Sequence, residues 1–197
     1  MLKIITPPAI EPVTVSDVKL YCHIDYDTED TIIEGWIKAG RETAENYQRR
    51  AYIRQTWELS EDGFPITPIL IPRPPLAGIQ SIKYYDYENT ETTMDLTDFI
   101  IDTSSIPGRV MLGYNIYWPS VTLRSMDSFK LRFIAGYDGT GIVGTTTTLS
   151  PDADEVPQYI KDAIMLYCAY RYENRAGEVT TIPEHFYNLL RQERCYY

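Results

Sequence analysis

Apolar and polar residues follow a helical period at the two ends of this chain and a period of two between them. Near residues 31–49 the apolar positions include Ile32, Ile33, Trp36, Ile37, Ala44 and Tyr47. Spacings of roughly three, four and seven put them on one stripe of an amphipathic helix. A shorter helix is expected over 15–22. Thr14-Val-Ser-Asp17 has the form of a capping box with Asp at its fourth place, and Val15, Val18 and Leu20 are among the apolar positions. Thr6 to Pro12 is proline-stiffened and extended. Asp25, Asp27, Glu29 and Asp30 precede the long helix, where carboxylates cap free N–H groups and favour the positive dipole end. Arg41, Arg49 and Arg50 fall in its second half and complement the other end.

After Ala51 the period changes. Ile53, Gln55, Trp57 and Leu59 alternate with Arg54, Thr56 and Glu58, which predicts a strand. Further strands are expected at 69–71, 79–86, 99–102 and 109–112, separated by Asn, Asp, Gly and Pro. Phe129, Leu131 and Phe133 alternate with Lys130 and Arg132 in another. A Gly/Thr-rich loop from Gly136 to Glu155 follows. Ile160, Ala163, Ile164, Tyr167 and Cys168 then carry a helix over 157–176, with Pro157 in its first turn and Gly177 as its stop. A last helix is expected over 184–192 with Phe186, Leu189 and Leu190 apolar.

The fold class is therefore α+β, with N- and C-terminal helices forming a small helical bundle and an inserted antiparallel β module. Residues 1–51 are the N-terminal helical part, 52–135 the β module, 136–176 the loop and C-terminal helix, and 177–197 a C-terminal segment.

Composition changes this picture in two respects. The net charge is -10, with acids exceeding bases in each third of the chain. That disfavours adhesion to phosphate backbones or anionic membranes, which Lys and Arg drive. Seventeen tyrosines exceed what one small core needs, and the surplus suits contacts between proteins. Three cysteines (Cys22, Cys168, Cys195) without CxxC spacing imply no disulfide framework, and Cys22 and Cys168 sit in apolar helical patterns. This suits a reducing cytoplasm. The segment Met1–Pro12 has no secretory-signal pattern, and no apolar run is long enough to span a bilayer.

Candidate chemistry is sparse. Gly139-Thr-Gly-Ile-Val-Gly144 matches G-x-G-x-x-G, but threonines follow where a phosphate cradle needs a helix N-terminus, so it reads as a loop. A calcium loop beginning at Asp25 would need Gly and Glu where Asp30 and Trp36 stand. His23 and His185 lack zinc-ligand spacing with the cysteines and read as surface residues. No GxSxG, HExxH or P-loop occurs. No catalytic, cofactor-binding or metal residue is assigned, and an enzyme is not expected.

Taken together, ITPPAIEPVTVSDVKLYCHID (5–25), RAYIRQTWEL (50–59), IPRPPLAGIQSIKYYD (71–86), DTSSIPGRVML (102–112), LRFIAGYDGTG (131–141) and VPQYIKDAIMLYCAYRYENR (156–175) resemble, in order, the head–tail connector (adaptor) proteins of tailed bacteriophages. The similar subfamily carries an inserted β region. The resemblance implies a homo-oligomeric ring, typically of twelve subunits, beneath the portal protein. Such a ring extends the DNA channel toward a stopper or tail-completion protein, and DNA passes without specific binding. It further implies no catalytic site, no cofactor and no membrane contact. The expected location is the virion neck, after synthesis in the host bacterial cytoplasm.

The tail after Ala176 resembles the family less. Its apolar cluster packs either on the subunit's own bundle or on a partner. Arg and Tyr, common interface anchors, tilt the balance to a partner such as the portal. The candidate contacts are Phe186, Tyr187, Leu190, Arg191, Arg194, Tyr196 and Tyr197. Competing readings are another neck or tail-completion protein, an acidic carbohydrate-binding module using Trp57, Trp118 or tyrosines, and a DNA-mimic inhibitor.

Overall fold

The computed structural model describes residues 1–137, 153, 155–175 and 181–196. The expected α+β class is borne out. Helix α1 (Val15–Cys22) opens on the Thr14/Asp17 capping box with both reciprocal bonds formed. Helix α2 (Asp30–Gln48) buries Ile33, Ile37, Gly40 and Ala44 on one stripe. Helices α3 (Gln158–Glu173) and α4 (Glu184–Leu190) complete the bundle, and a 3-10 turn follows at Arg191–Glu193. Helix α2 packs chiefly on α3, and α4 lies against both. The shared core contains Val18, Ile33, Ile37, Ile160, Ile164, Cys168, Phe186 and Leu190.

Strand β1 is Leu2–Thr6, followed along the chain by β2 (Gln55–Glu61), β3 (Ile69–Ile71) and β4 (Leu76–Tyr85). Then come β5 (Glu91–Met94), β6 (Phe99–Asp102), β7 (Gly108–Leu112) and β8 (Phe129–Ala135). All pairings are antiparallel. One sheet has five strands in the order β1-β2-β8-β4-β5; the other has three, β3-β7-β6. Their inward faces share a second core of Trp57, Ile69, Ile71, Ile79, Ile82, Phe99, Val110, Phe129, Leu131 and Phe133. The alternation read along β8 is realised, with Phe129, Leu131, Phe133 and Ala135 buried and the residues between them half-buried. At Gly108 a Cβ would stand 2.6 Å from Leu76 Cβ, so glycine lets the three-stranded sheet approach β4.

The structure departs from the sequence reading in several places. Strands β1 and β5 were not foreseen. Leu2–Thr6 is extended, but its residues are largely exposed and show no alternation that would reveal a strand. Glu91–Met94 is a polar edge strand. Ile53 is not in β2 but lies in the helical core beside Tyr52. The acidic cluster does not cap α2: Glu29, at the N-cap, makes no side-chain capping bond. Asp27 and Asp30 pair instead with Lys19, and Glu29 with Arg175. Two of the three arginines have another role than serving the helix dipole. Arg41 and Arg50 are buried in ion pairs, while Arg49 is the left-handed C-cap residue with φ 57°. Gly139–Gly144, Thr145–Thr148, Gly177 and Tyr197 lie outside the described residues.

Candidate functional site

The last turn of α2 is where the helical core, the β module and the C-terminal segment meet. Glu45 is buried and accepts three hydrogen bonds: from Arg41 Nη1 at 2.8 Å, the Tyr52 N–H at 2.8 Å and Gln55 Nε2 at 2.8 Å. Arg41 also donates to Glu11 at 2.6 Å, and Arg73 reaches the Glu45 carbonyl at 3.0 Å. One turn on, Gln48 donates to the Leu190 carbonyl at 2.7 Å and accepts from Tyr52 Oη at 2.6 Å. The Cys195 N–H donates to the Gln48 carbonyl at 3.0 Å, and Arg50 Nε to the Glu193 carbonyl at 2.8 Å. Buried polar groups carry a desolvation cost unless partnered, so this set fixes how the three parts sit together. Burial pushes the Glu45 carboxyl above its ordinary value despite the pull of Arg41, Tyr52 and Gln55. Apart from the i,i+4 spacing of Arg41 and Glu45, the set was not legible in sequence, because Gln48 and Arg50 reach partners 142 and 143 residues away.

The C-terminal contact candidates separate into two groups. Phe186 and Leu190 are 0% exposed in the subunit's own helical core, and Tyr187 packs against that core with its ring 4.8 Å from Tyr47. Arg191 is exposed, Arg194 half-buried, and Tyr196 is 75% exposed. The Arg194 guanidinium lies over the Tyr47 and Tyr196 rings at 4.6 and 5.3 Å. Arg50, Ile106, Pro107, Glu193, Arg194 and Tyr196 line a groove of about 560 Å3 beside this segment.

Tyrosines divide similarly. Tyr52 and Tyr167 are core residues, whereas Tyr114 and Tyr117 are 91% and 80% exposed on the stretch after β7. That stretch is anchored by Trp118, stacked on Phe64 at 4.8 Å and donating to the Pro65 carbonyl at 3.2 Å. Leu70, Ile100 and Met111 form an exposed apolar row on the outer face of the three-stranded sheet.

Burial pushes the Cys168 thiol up to about 12, far from a reactive thiolate, and raises Cys22 as well. His23 and His185 are exposed. Among the described residues no group of three or more His, Cys, Asp or Glu side chains could hold a metal ion. Trp57 is buried and Trp118 is packed among aromatic rings, so neither presents a face to a sugar. No helix among the described residues is long and apolar enough to cross a membrane.

Residues 12–104 match the model of the phage gp6-like head–tail connector family. The match runs from α1 through β6. No curated protein matches the chain. Three similar solved structures share 16% identity with it and cover 100% of this chain and 96% of theirs. They come from the virion of a native gene transfer agent particle (TM-score 0.77), the neck of an empty particle computed with C6 symmetry (0.76) and the neck of a native particle computed with C12 symmetry (0.73). At that identity the likeness is one of fold, and it extends over both the helical bundle and the β module. The resemblance read from the sequence motifs is thus borne out: this chain is similar to the phage gp6-like head–tail connector proteins, on a fold also found in gene transfer agent particles.

Proposed function

We propose that this chain is a structural subunit of a virion neck, a head–tail connector that forms a homo-oligomeric ring and links head to tail. The match of residues 12–104 to the connector family carries the reading. Similar chains in necks computed with C6 and C12 symmetry support the ring, with twelve subunits as the proposed count. Its neighbours in this reading are the portal protein above and a stopper or tail-completion protein below. Genome DNA passes through the channel without specific binding, and the net charge of -10 favours that passage. The role is one of assembly rather than turnover. The buried Cys168, with its raised thiol, and the packed tryptophans support that view. The protein is made in the host cytoplasm and resides in the virion neck.

The test is electron microscopy of particles from a strain lacking this gene, with and without complementation. Filled heads without tails, restored to joined particles by the wild-type chain, are expected. Normal joined particles without the protein would overturn the assignment.

A further inference from the structure

Exposed charges of opposite sign stand at the two ends of α2. At its N-terminal end the turn between α1 and α2 projects Asp25 and Asp27. Asp25 is exposed and has no ion-pair partner among the described residues, and Asp27 keeps 89% of its side chain exposed while meeting Lys19. The turn is held in place behind them by Glu29 with Arg175 and by Tyr26 Oη with Tyr172 Oη at 3.0 Å. At the C-terminal end of α2 lies the groove beside the C-terminal segment. Arg194 lines it, its guanidinium between two tyrosine rings and its buried Nε without a hydrogen-bond partner. Arg191 is exposed and has no ion-pair partner among the described residues. The groove's own carboxylate, Glu193, faces Arg50 at 3.4 Å.

A buried donor without an acceptor is costly, so the Arg194 guanidinium, held between two tyrosine rings, is placed to take a carboxylate. Nineteen helical residues separate the two ends by roughly 27 Å, too far for them to meet within one subunit. A closed ring needs two different, complementary surfaces on each subunit. We infer that the ring closes head to tail, with Asp25 and Asp27 of one copy docking on Arg191, Arg194 and Tyr196 of the next. This deepens the ring reading and rests on it. The occupant is therefore a second copy of this chain.

The test is native mass spectrometry of the purified full chain, with D25R/D27R and R191E/R194E variants and a melting curve for each. Wild type is expected to form closed oligomers that weaken as salt rises. Each variant alone is expected to lose oligomers at least tenfold while melting as a folded protein. An equimolar mixture of the two should regain them as alternating rings, because each altered tip then meets an altered groove, and each native tip a native groove, of opposite sign. Recovery in the mixture also controls for folding. Variants that oligomerise like wild type, or a mixture that stays monomeric, would overturn this interface and leave the ring reading standing. A wild-type chain that stays monomeric at every concentration would count against the ring reading and against this interface with it.

Discussion

Glu45 is held by Arg41, the Tyr52 N–H and Gln55 in a site closed to water. Glu45→Ala takes the acceptor from the buried Tyr52 N–H and Gln55 Nε2 and leaves Arg41 with Glu11 but without its most buried partner, so it is expected to cost about 3–5 kcal/mol in urea unfolding. A loss below about 1 kcal/mol, the range of exposed pairs, would mean that water reaches the site. The folded value of Glu45 is raised, so its own contribution is fullest below the ordinary carboxylate value and declines as pH rises through the raised one. Asp102 behaves oppositely. Arg109, then Ser105, hold its carboxyl down to about 2. Its contribution is present above the ordinary value of about 3.9 and is lost as pH falls from there through about 2. Asp102→Asn should flatten the fall in stability across that acid window, measured by thermal melts at stepped pH. An unchanged slope would sink the assignment.

At the scale of elements, α4 tells most about what sequence reasoning leaves open. A helix of seven residues is marginal alone, and its apolar face could serve either a partner or the subunit. In the structure Phe186 and Leu190 are wholly buried, and the Leu190 carbonyl is tied to Gln48. Phe186→Ala is therefore expected to cost about 3–5 kcal/mol, as large core truncations do. Deleting residues 178–197 should lower the melting temperature sharply even in the free subunit. Near-unchanged melting with lost incorporation into necks would instead make the whole segment a docking element. Helices α1, α2 and α3 were legible because each carries a local signature: a capping box, a 3.6-residue stripe, a proline start. Strands β1 and β5 carry none. An edge strand exposed on both faces has no alternation to read.

For the whole molecule, the acidic balance makes a further expectation. Duplex DNA should show no retardation with this protein at physiological salt, because a net charge of -10 offers no counterion release to drive association. Micromolar retardation in a gel would point to a basic surface created only by assembly. The bundle and the β module have separate apolar cores, and Glu45 in the last turn of α2 bridges them by accepting from Gln55 of β2 and, through its carbonyl, from Arg73. Their relative placement thus depends on polar geometry, which is directional, more than on apolar burial, which is not.

What the sequence by itself determined is whatever depends on neighbours a few residues away. That covers the helical stripe over 31–49, the Thr14–Asp17 cap, the alternation along β8, the α+β order and the motifs that carry the connector resemblance. What only the tertiary structure decided depends on groups distant in the chain. Asp27, Asp30 and Glu29 became ion pairs with Lys19 and Arg175 instead of helix caps. Arg41 and Arg50 became buried donors instead of dipole partners. The C-terminal contact candidates were divided between core and surface by a helix packed against α2 and α3. The physical reason is the same in each case. Local pattern fixes which face of an element is apolar, but a charged or aromatic side chain takes its role from what the fold brings within about 3 Å of it.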